Sequence, residues 1–511
     1  MTQVYSKQRA RRAVFHTLLL RPPGQIASFV GYVLLVRLLS EAEFGVYNLF
    51  YALLPLLAAV ASFGLEHTLR RYQPEYLKRG ENRVADRLVR RIGLIRLGSN
   101  AVVLALLFVT WPSVAPLFDI EGYRSVFVIF AGLALAHFQC SILTIALSSH
   151  LLQQHSLGMQ VLFAMSKAVL YAAAGYGWGI DLVTVFLIDL AAYLLLYAGL
   201  KYLYTTRTDR QSGTLDKLPR DDRRRIFKYG MFYNFNDAGT LPLRTRTDNF
   251  FIAAYLDPVA VGAYSFCTQL GQTIYRATPL KLLESVVRPL FFSLDYHRNV
   301  ERVQTYFSLL VTFGFVVMMP IFLFVACWNR EIVQVVFAGK FLEYAPLLTI
   351  VFFFAAANSL DVPVTLVAQL KEKAHVILAS RIFSLYNVAA LVVLIPRMGI
   401  AGAMLASGSA HLMKHVFIWW FVRDLAVWKG AGRFLGRTAL AWTPFVALSL
   451  AGRELLPLEP FALLTLGVAL WSVAFALYMR HFALTDEQRR LVATLFPGKE
   501  TRFLRAFGVV H

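Results

Sequence analysis

Long apolar stretches alternate with short polar segments along almost the whole chain. The apolar stretches are about 20 residues long, the length an α-helix needs to cross roughly 30 Å of hydrocarbon. The pattern predicts an all-α polytopic membrane protein with about 14 transmembrane helices. The predicted spans lie near 17–39, 44–65, 93–112, 123–147, 156–178, 181–204, 227–256, 259–290, 303–328, 345–370, 374–396, 400–423, 434–452 and 460–480. In the first span, the prolines Pro22 and Pro23 predict a helix that starts late or kinks there.

Composition supports a membrane protein. Of the 511 residues, 58% are hydrophobic and 16% are charged, and a soluble protein of this length needs more polar surface. Lys and Arg concentrate in the N-terminal and C-terminal tails and in alternate loops, such as RRYQPEYLKRGENRVADRLVRR after the second span. The positive-inside rule then places both termini of this multi-pass protein in the cytoplasm.

The formal net charge of +21 follows from these loops. Because no nucleic-acid-binding motif accompanies the charge, we expect contact with anionic membrane lipids and no nucleic-acid partner. Cys140, Cys267 and Cys327 all lie in apolar segments, so we expect packing residues rather than disulfides or a metal site. His411 and His415 are one helical turn apart, but no third ligand is visible, so no metal is predicted.

A repeated phrase divides the chain. RLLSEAEFGVYNL, from Arg37, is echoed by AYLDPVAVGAYSF, from Ala254, so that Gly45 matches Gly262 and Tyr47 matches Tyr264. Further echoes at nearly the same spacing predict two six-helix halves, 1–220 and 221–425, followed by a terminal helix pair and cytoplasmic tail, 426–511. Halves with an even number of helices form a parallel repeat, which can rock around a central cavity and open it to each side in turn.

The segment LLVRLLSEAEFGVYNLFYALLPLLAAVASFG, with the basic loop after it, resembles the start of polysaccharide-biosynthesis flippases. These belong to the multidrug/oligosaccharidyl-lipid/polysaccharide (MOP) exporter superfamily. The second half carries the matching phrases DNFFIAAYLDPVAVGAYSF, NREIVQVVFAGKFLEYAPLLTI and IPRMGIAGAMLAS. The resemblance implies a V-shaped protein that moves a polyprenyl-diphosphate-linked oligosaccharide from the cytoplasmic to the outer leaflet by alternating access. It also implies a pathway shared with a polysaccharide polymerase and glycosyltransferases.

Charged residues inside the spans are the candidate site, because a charge at mid-bilayer costs at least about 2.5–3.5 kcal/mol and needs a reason. The seventh span carries Arg244, Arg246 and Asp248. The four-residue spacing predicts that Arg244 pairs with Asp248 on one helical face, whereas Arg246 points away from that face. Guanidinium groups suit diphosphate, so Arg244 and Arg246 are predicted cavity residues. An internal salt-bridge lock is the alternative.

Other polar residues extend this set. Arg276, Arg381 and Gln25 are further candidates for the cavity lining, whereas Lys281 and Glu284 are expected to satisfy each other. Asp248, Asp189 and Asp361 are candidates for coupling to H⁺ or Na⁺, and no other cofactor is expected. For Tyr47 and Tyr264, anchoring of the repeated hairpins is favoured over stacking on sugars.

Three rival functions stay open. A lipid II flippase would also have a cationic cavity, and a cation-coupled multidrug exporter would share the repeat, although cationic drugs would be repelled by arginines. A membrane glycan polymerase or ligase would need a large outer loop, and every predicted outer loop is short. The chain has no GxxxxGK[ST], DxD or GxSxG motif, so we predict that it is not an enzyme and has no catalytic residues.

Overall fold

The structure is a computed structural model. It describes residues 7–177, 179–213, 220–239, 241–282, 284, 288, 291–292, 299–483 and 489. These residues are almost entirely helical, and no strand occurs among them. The predicted cytoplasmic tail beyond 489 lies outside the described residues. The chain separates into two compact units, residues 1–265 and 266–511, while the predicted domain boundaries at 220 and 425 stay a prediction.

The described residues of the first unit form nine long helices and the start of a tenth. They are α1 (Lys7–Leu38), α2 (Glu41–Ala61), α3 (Leu65–Lys78), α4 (Asn82–Val109), α5 (Arg124–Ser149), α6 (Gln153–Gly177), α7 (Leu182–Arg207), α8 (Arg220–Ala238), α9 (Thr245–Tyr255) and α10 (Pro258–Ala277). Shorter helical turns lie at Trp111–Val114, Ala115–Phe118, Glu121–Tyr123 and Leu241–Leu243.

In the second unit, the residues that the structure describes form the rest of α10 and six further long helices. They are α11 (Val300–Val336), α12 (Leu347–Ala357), α13 (Asp361–Leu370), α14 (Ile382–Val422), α15 (Ala431–Leu455) and α16 (Pro460–His481). Short helical segments lie at Pro279–Leu282, Leu342–Tyr344, Asn358–Leu360 and Ala374–Ala379. The last two helices pack on α11, and the rings of Trp442 and Trp471 stack with centroids 4.7 Å apart.

Membrane-spanning character is confirmed in the described part of the chain. Ten helical segments there are long and apolar enough to cross a membrane. The count of fourteen spans stays a prediction. One of the ten segments, Ala374–Val422, covers two predicted spans, which meet at Gly399. There the backbone leaves helical geometry with φ at +56°, a conformation that glycine adopts without a Cβ clash.

The late start offered as one alternative for the first span was wrong, and so was the single helix predicted over 227–256, while a kink at Pro22 and Pro23 stays a prediction. Helix α1 begins at Lys7, well before Pro22 and Pro23, so it does not start late. Each proline removes a single bond to the preceding turn, and a membrane helix tolerates that loss when the rest of the ladder continues. The predicted span 227–256 is not one helix, because α8 ends at Ala238 and α9 begins only at Thr245.

The two copies of the repeated phrase lie against each other inside the first unit. A Cβ built on Gly45 would lie 1.7 Å from the carbonyl oxygen of Pro258 and 3.1 Å from the backbone nitrogen of Gly262. Only a residue without a side chain permits such a close approach of backbones. Ser40 and Glu43 form a reciprocal capping box that fixes the start of α2 just before this contact.

Candidate functional site

A buried acidic centre lies in the first unit. Asp189 of α7 is 0% exposed. Its carboxylate accepts hydrogen bonds from the hydroxyl groups of Tyr47, at 3.1 Å, and of Tyr51 and Tyr171. The ammonium group of Lys167 lies 2.7 Å from the same carboxylate. We call these five residues the Asp189 cluster.

Helical spacing brings the Asp189 cluster together. Tyr47 and Tyr51 are one turn apart on α2, and Lys167 and Tyr171 are one turn apart on α6, so each pair shares a helical face. Both faces meet Asp189 from different helices. Because a buried acidic group is tolerated only when it is paired and hydrogen-bonded, the four donors account for the burial of this carboxyl group.

Aromatic rings also surround the cation of this cluster. The Lys167 ammonium lies 5.4 Å from the ring centroid of Phe163, 5.5 Å from that of Tyr171 and 6.0 Å from that of Tyr51. Such contacts stabilise a desolvated cation. The Lys167 side chain keeps 15% exposure, so the pair is nearly but not wholly enclosed within this unit.

Arg246 on α9 reaches the edge of the Asp189 cluster. Its Nη1 donates to the Tyr51 carbonyl oxygen at 3.4 Å, and its guanidinium carbon lies 6.0 Å from the Tyr51 ring centroid. The side chain is otherwise exposed. Its guanidinium is therefore held near the cluster by neutral partners.

The predicted pairing of Arg244 with Asp248 was wrong. Pro242 lies in a short helical turn before α9, so Arg244 has extended backbone at the N-cap and its side chain is exposed. Asp248, 0% exposed, instead accepts a hydrogen bond of 2.5 Å from the Tyr264 hydroxyl. The tyrosines of both repeated phrases are thus buried and each bonds to a buried aspartate, which agrees with an anchoring role.

The second unit has its own charged centre around Asp361, the first residue of α13. Its carboxylate lies 3.4 Å from Lys281, 3.6 Å from Lys414 and 3.7 Å from the His415 ring. Lys281 also lies 3.3 Å from Glu284, which confirms the predicted pair. The Nε2 atom of His415 also lies 3.2 Å from the side-chain oxygen of Asn358, so one of its ring nitrogens is hydrogen-bonded. Among the described residues, no group of metal-binding side chains forms a metal site.

The remaining candidates lie apart from these centres along the chain. Arg276 is exposed in the last turn of α10, and Arg381 is half-buried at the start of α14. Gln25 is half-buried on α1. Gln25 belongs to the first unit, and Arg276 and Arg381 belong to the second. Their role as cavity residues stays a prediction.

Sequence reasoning missed two features of the first unit. Arg96 of α4 is 0% exposed; its guanidinium lies over the Phe138 ring at 4.1 Å and 3.7 Å from Glu66. A lone arginine only three residues inside the predicted third span was the available signal. The tyrosine shell of Asp189 was also missed, although the four-residue spacing of Tyr47 and Tyr51 could have indicated a shared face.

An ionic cluster joins α3 to α8 outside the candidate spans. Glu75 accepts from Arg225 at 2.9 Å and from Arg79 at 2.6 Å, and Tyr76 donates to Asp222 at 2.7 Å. The hydrogen bond from Arg225 lowers the pKa of Glu75 below its ordinary value. This cluster links the basic loop after α2 to the start of α8.

Comparison with known proteins defines the family. Residues 11–293, more than half of the chain, match the model of the polysaccharide biosynthesis protein family. The chain belongs to this family. No curated protein sequence matches it significantly.

Solved structures show the fold. A structure described as the lipid II flippase MurJ in an inward closed conformation superposes with a TM-score of 0.64 at 11% identity, covering 93% of this chain and 99% of that one. An inward-facing multidrug resistance MATE family transporter of the MOP superfamily gives 0.66 at 14% identity, covering 79% and 95%. A MOP superfamily transporter from Pyrococcus furiosus gives 0.52 at 14% identity, covering 82% and 95%.

These likenesses confirm the predicted fold class, an all-α multi-pass membrane protein of the MurJ and MATE type. The family and the fold together support a flippase or transporter of this type, which agrees with the prediction that the chain is not an enzyme. Substrate, coupling ion and direction of transport belong to the proposal below.

Proposed function

We propose that this polysaccharide biosynthesis family member is a flippase for a polyprenyl-diphosphate-linked oligosaccharide. It moves the lipid-linked repeat unit from the cytoplasmic to the outer leaflet of the inner membrane by alternating access. The family match and the fold support this proposal. The single observation that carries the choice of an anionic substrate is Arg246, an exposed guanidinium on the short helix α9 whose described partners are a carbonyl group and an aromatic ring.

Arginine suits the diphosphate headgroup. Its planar guanidinium stays charged in any environment and offers several donors to phosphate oxygens. Arg246 and Arg244 are the arginines of the first unit that we assign this chemistry, while Arg276 and Arg381 stay candidates predicted from the sequence. Gln25 adds an amide that can bond to a sugar hydroxyl. A cationic drug would meet repulsion at the same side chains, which disfavours a multidrug exporter.

Asp189 is our choice among the three coupling candidates, with H⁺ as the ion. Protonation of its carboxylate would remove the charge that holds Lys167 and would leave the lysine without a counter-ion in its aromatic surroundings. Two protonation states would therefore favour two packings of α2, α6 and α7, which is what coupling requires. Asp248 accepts from the neutral Tyr264 hydroxyl, and Lys281 beside Asp361 keeps Glu284 as a second partner. Asp189, paired with Lys167, is therefore the clearest case of a carboxylate whose protonation would disturb a buried ion pair.

Reconstitution tests the substrate. Purified protein in liposomes is given a fluorescent lipid-linked oligosaccharide on one leaflet, and accessibility on the other leaflet is followed with time. We expect Arg246→Ala to abolish flipping and Arg246→Lys to retain part of it, because lysine keeps the charge but not the two-pronged geometry. Arg224→Ala on α8, an exposed arginine outside the candidate site, is the matched control.

The outcomes separate the rival functions. Full flipping by Arg246→Ala at normal abundance would remove the arginine from the substrate path. Lipid II is the second candidate substrate, because the superposition with the lipid II flippase MurJ includes 99% of the MurJ chain. Faster flipping of lipid II than of the oligosaccharide lipid in the same liposomes would select that function. Outer-leaflet accumulation of unpolymerised units in cells that lack the gene would instead indicate a polymerase.

The same proposal fixes location and partners. We place both termini in the cytoplasm, and a polysaccharide polymerase and glycosyltransferases act on the same pathway. A fluorescent protein fused to the C-terminus folds only in the cytoplasm, so its fluorescence tests the orientation. If the fluorescent fusion were dark and alkaline phosphatase fused to the same C-terminus were active, the C-terminus would lie outside the cytoplasm.

A further inference from the structure

A groove of 690 Å³ opens in the first unit between α4, α5 and α7, away from the Asp189 cluster. One end of the groove is charged and the other is apolar. The charged end is lined by Asp86, Arg90, Lys201 and Arg210. The apolar end is lined by Leu94, Leu97, Gly132, Leu135 and Leu194. A groove with one charged and one apolar end on a membrane protein is complementary to a lipid, which has a polar headgroup and an apolar tail.

The length of the groove matches one leaflet. Asp86 and Leu97 both lie on α4, separated by about 16 Å at 1.5 Å per residue. Half of a bilayer's hydrocarbon core is about 15 Å thick. The charged end lies where α4 begins and α7 ends, next to the basic loops that the positive-inside rule places in the cytoplasm. The groove therefore follows the cytoplasmic leaflet from headgroup level to mid-bilayer.

The apolar end is accessible to lipid. Leu94 is 70% exposed, Leu194 is 52% exposed and Leu97 is 40% exposed. Gly93 lies against Gln139, whose amide donates to the Gly93 carbonyl oxygen at 3.0 Å. The polar groups of the groove floor are thus bonded to each other, and the surface that remains is suited to an acyl chain.

The charged end has an excess of positive charge. Arg90 donates to Asp86 at 2.8 Å, and that carboxylate is 4% exposed, so this pair is neutral. Lys201 and Arg210 add two further cations, and the Lys201 ammonium is held 5.6 Å from the Tyr197 ring centroid. Asp209, beside Arg210, does not line the groove and is bonded to Asn82 and the Ser212 backbone instead. An anionic phosphate is the complement of this end.

We propose that the groove binds an anionic phospholipid of the cytoplasmic leaflet, with its phosphate at Lys201 and Arg210 and one acyl chain along Leu94 and Leu194. The bound lipid would bridge α4, α5 and α7 and stabilise the first unit, as any ligand does that binds only the folded state. The lipid site does not depend on what the protein transports.

Native mass spectrometry of delipidated protein, titrated with phosphatidylglycerol, tests the headgroup end. We expect Lys201→Ala/Arg210→Ala to weaken binding at least about ten-fold, since each cation near a phosphate contributes a factor of about five. Arg87→Ala/Arg207→Ala removes two exposed cations from the same helices outside the groove and should bind like the parent. Arg90 is left intact because its removal would strand a buried carboxylate.

Leu194→Trp tests the apolar end, because the bulky ring would fill the groove at an exposed position that tolerates it. Its neighbour Leu195 is 67% exposed and does not line the groove, so Leu195→Trp is the control. We expect weaker binding of phosphatidylglycerol to the first variant only, with unchanged melting in the absence of lipid.

Three results would overturn the proposal. The first is equal phosphatidylglycerol affinity for the groove variants and their controls. The second is equally tight binding of soluble glycerol phosphate, which would indicate a phosphate site without an acyl chain. The third is displacement of phosphatidylglycerol by equimolar polyprenyl diphosphate, which would assign the groove to the tail of the transported lipid.

Discussion

Replacing Asp189 by Asn tests how far the buried ion pair stabilises the first unit. At the observed 2.7 Å separation from Lys167, the Coulomb attraction is about 6 kcal/mol at an effective dielectric constant of 20. Much of that gross attraction offsets the desolvation of the two charges. Removing one partner of a buried pair nevertheless costs about 3–5 kcal/mol, because the other charge is left without a counter-ion.

Two details of the cluster place the expected loss near the lower end, at about 3 kcal/mol. The Asn side-chain oxygen can still accept from the tyrosine hydroxyls. The three aromatic rings around Lys167 also retain part of its stabilisation, at roughly 0.5–2 kcal/mol for each favourable contact. A domain of 150–250 residues loses about 2–4 °C in Tm per kcal/mol, so we expect a drop of roughly 10 °C.

Thermal unfolding of the detergent-purified protein, followed by tryptophan fluorescence, measures this loss. The double variant Asp189→Asn/Lys167→Met removes both charges at similar volume and should recover most of the lost stability. Asp119→Asn is the control, because residue 119 is exposed with φ at +54°, a conformation that Asn adopts readily. A double variant that melts no higher than the single variant would show that the pair does not carry the energy assigned to it.

Two further perturbations test the packing of the first unit. We expect Gly45→Ala to reduce the yield of folded protein strongly, because the added Cβ would overlap the Pro258 carbonyl oxygen. Gly98→Ala is the control and should be tolerated, because position 98 has open space around it. Size-exclusion profiles in detergent compare the two variants, and equal profiles would contradict the close approach of the backbones at Gly45. Arg225→Gln should cost about 0.5–1 kcal/mol at pH 7. Because the folded pKa of Glu75 is depressed, that difference should vanish as acid protonates Glu75, and a gap in melting temperature that persists unchanged down to about pH 3 would refute the ion pair's role.

Much of the fold could be predicted from apolar periodicity. Spans such as 44–65 and 460–480 coincide with α2 and α16 to within a few residues, because a helix in lipid must satisfy its backbone internally and its length is set by the bilayer. The predictions of helix ends failed at proline residues. The same residue type lies inside α1 without ending it and beside the break before α9, since the outcome depends on whether neighbouring groups can satisfy the freed carbonyls.

The candidate site was less predictable than the fold. Local spacing identified Lys281 and Glu284, which are neighbours on the chain, but it failed for Arg244 and Asp248 because a helix start intervenes. The partners of Asp189 come from helices 138 and more residues away as well as from the adjacent helix. No spacing rule reaches contacts of that kind, because they are made by tertiary packing.

Partner chemistry distinguishes the cations that stabilise the fold from the one that we assign to substrate. In the described part of the chain, Lys167, Lys281, Lys414 and Arg96 each have a carboxylate within 4 Å. Those carboxylates offset the charges of these half-buried and buried cations. The described partners of Arg246 are a carbonyl oxygen and an aromatic ring, which orient the guanidinium without neutralising it. A charge maintained in this way in a membrane protein keeps its affinity for an anion from outside the fold, and the diphosphate of the proposed substrate is such an anion.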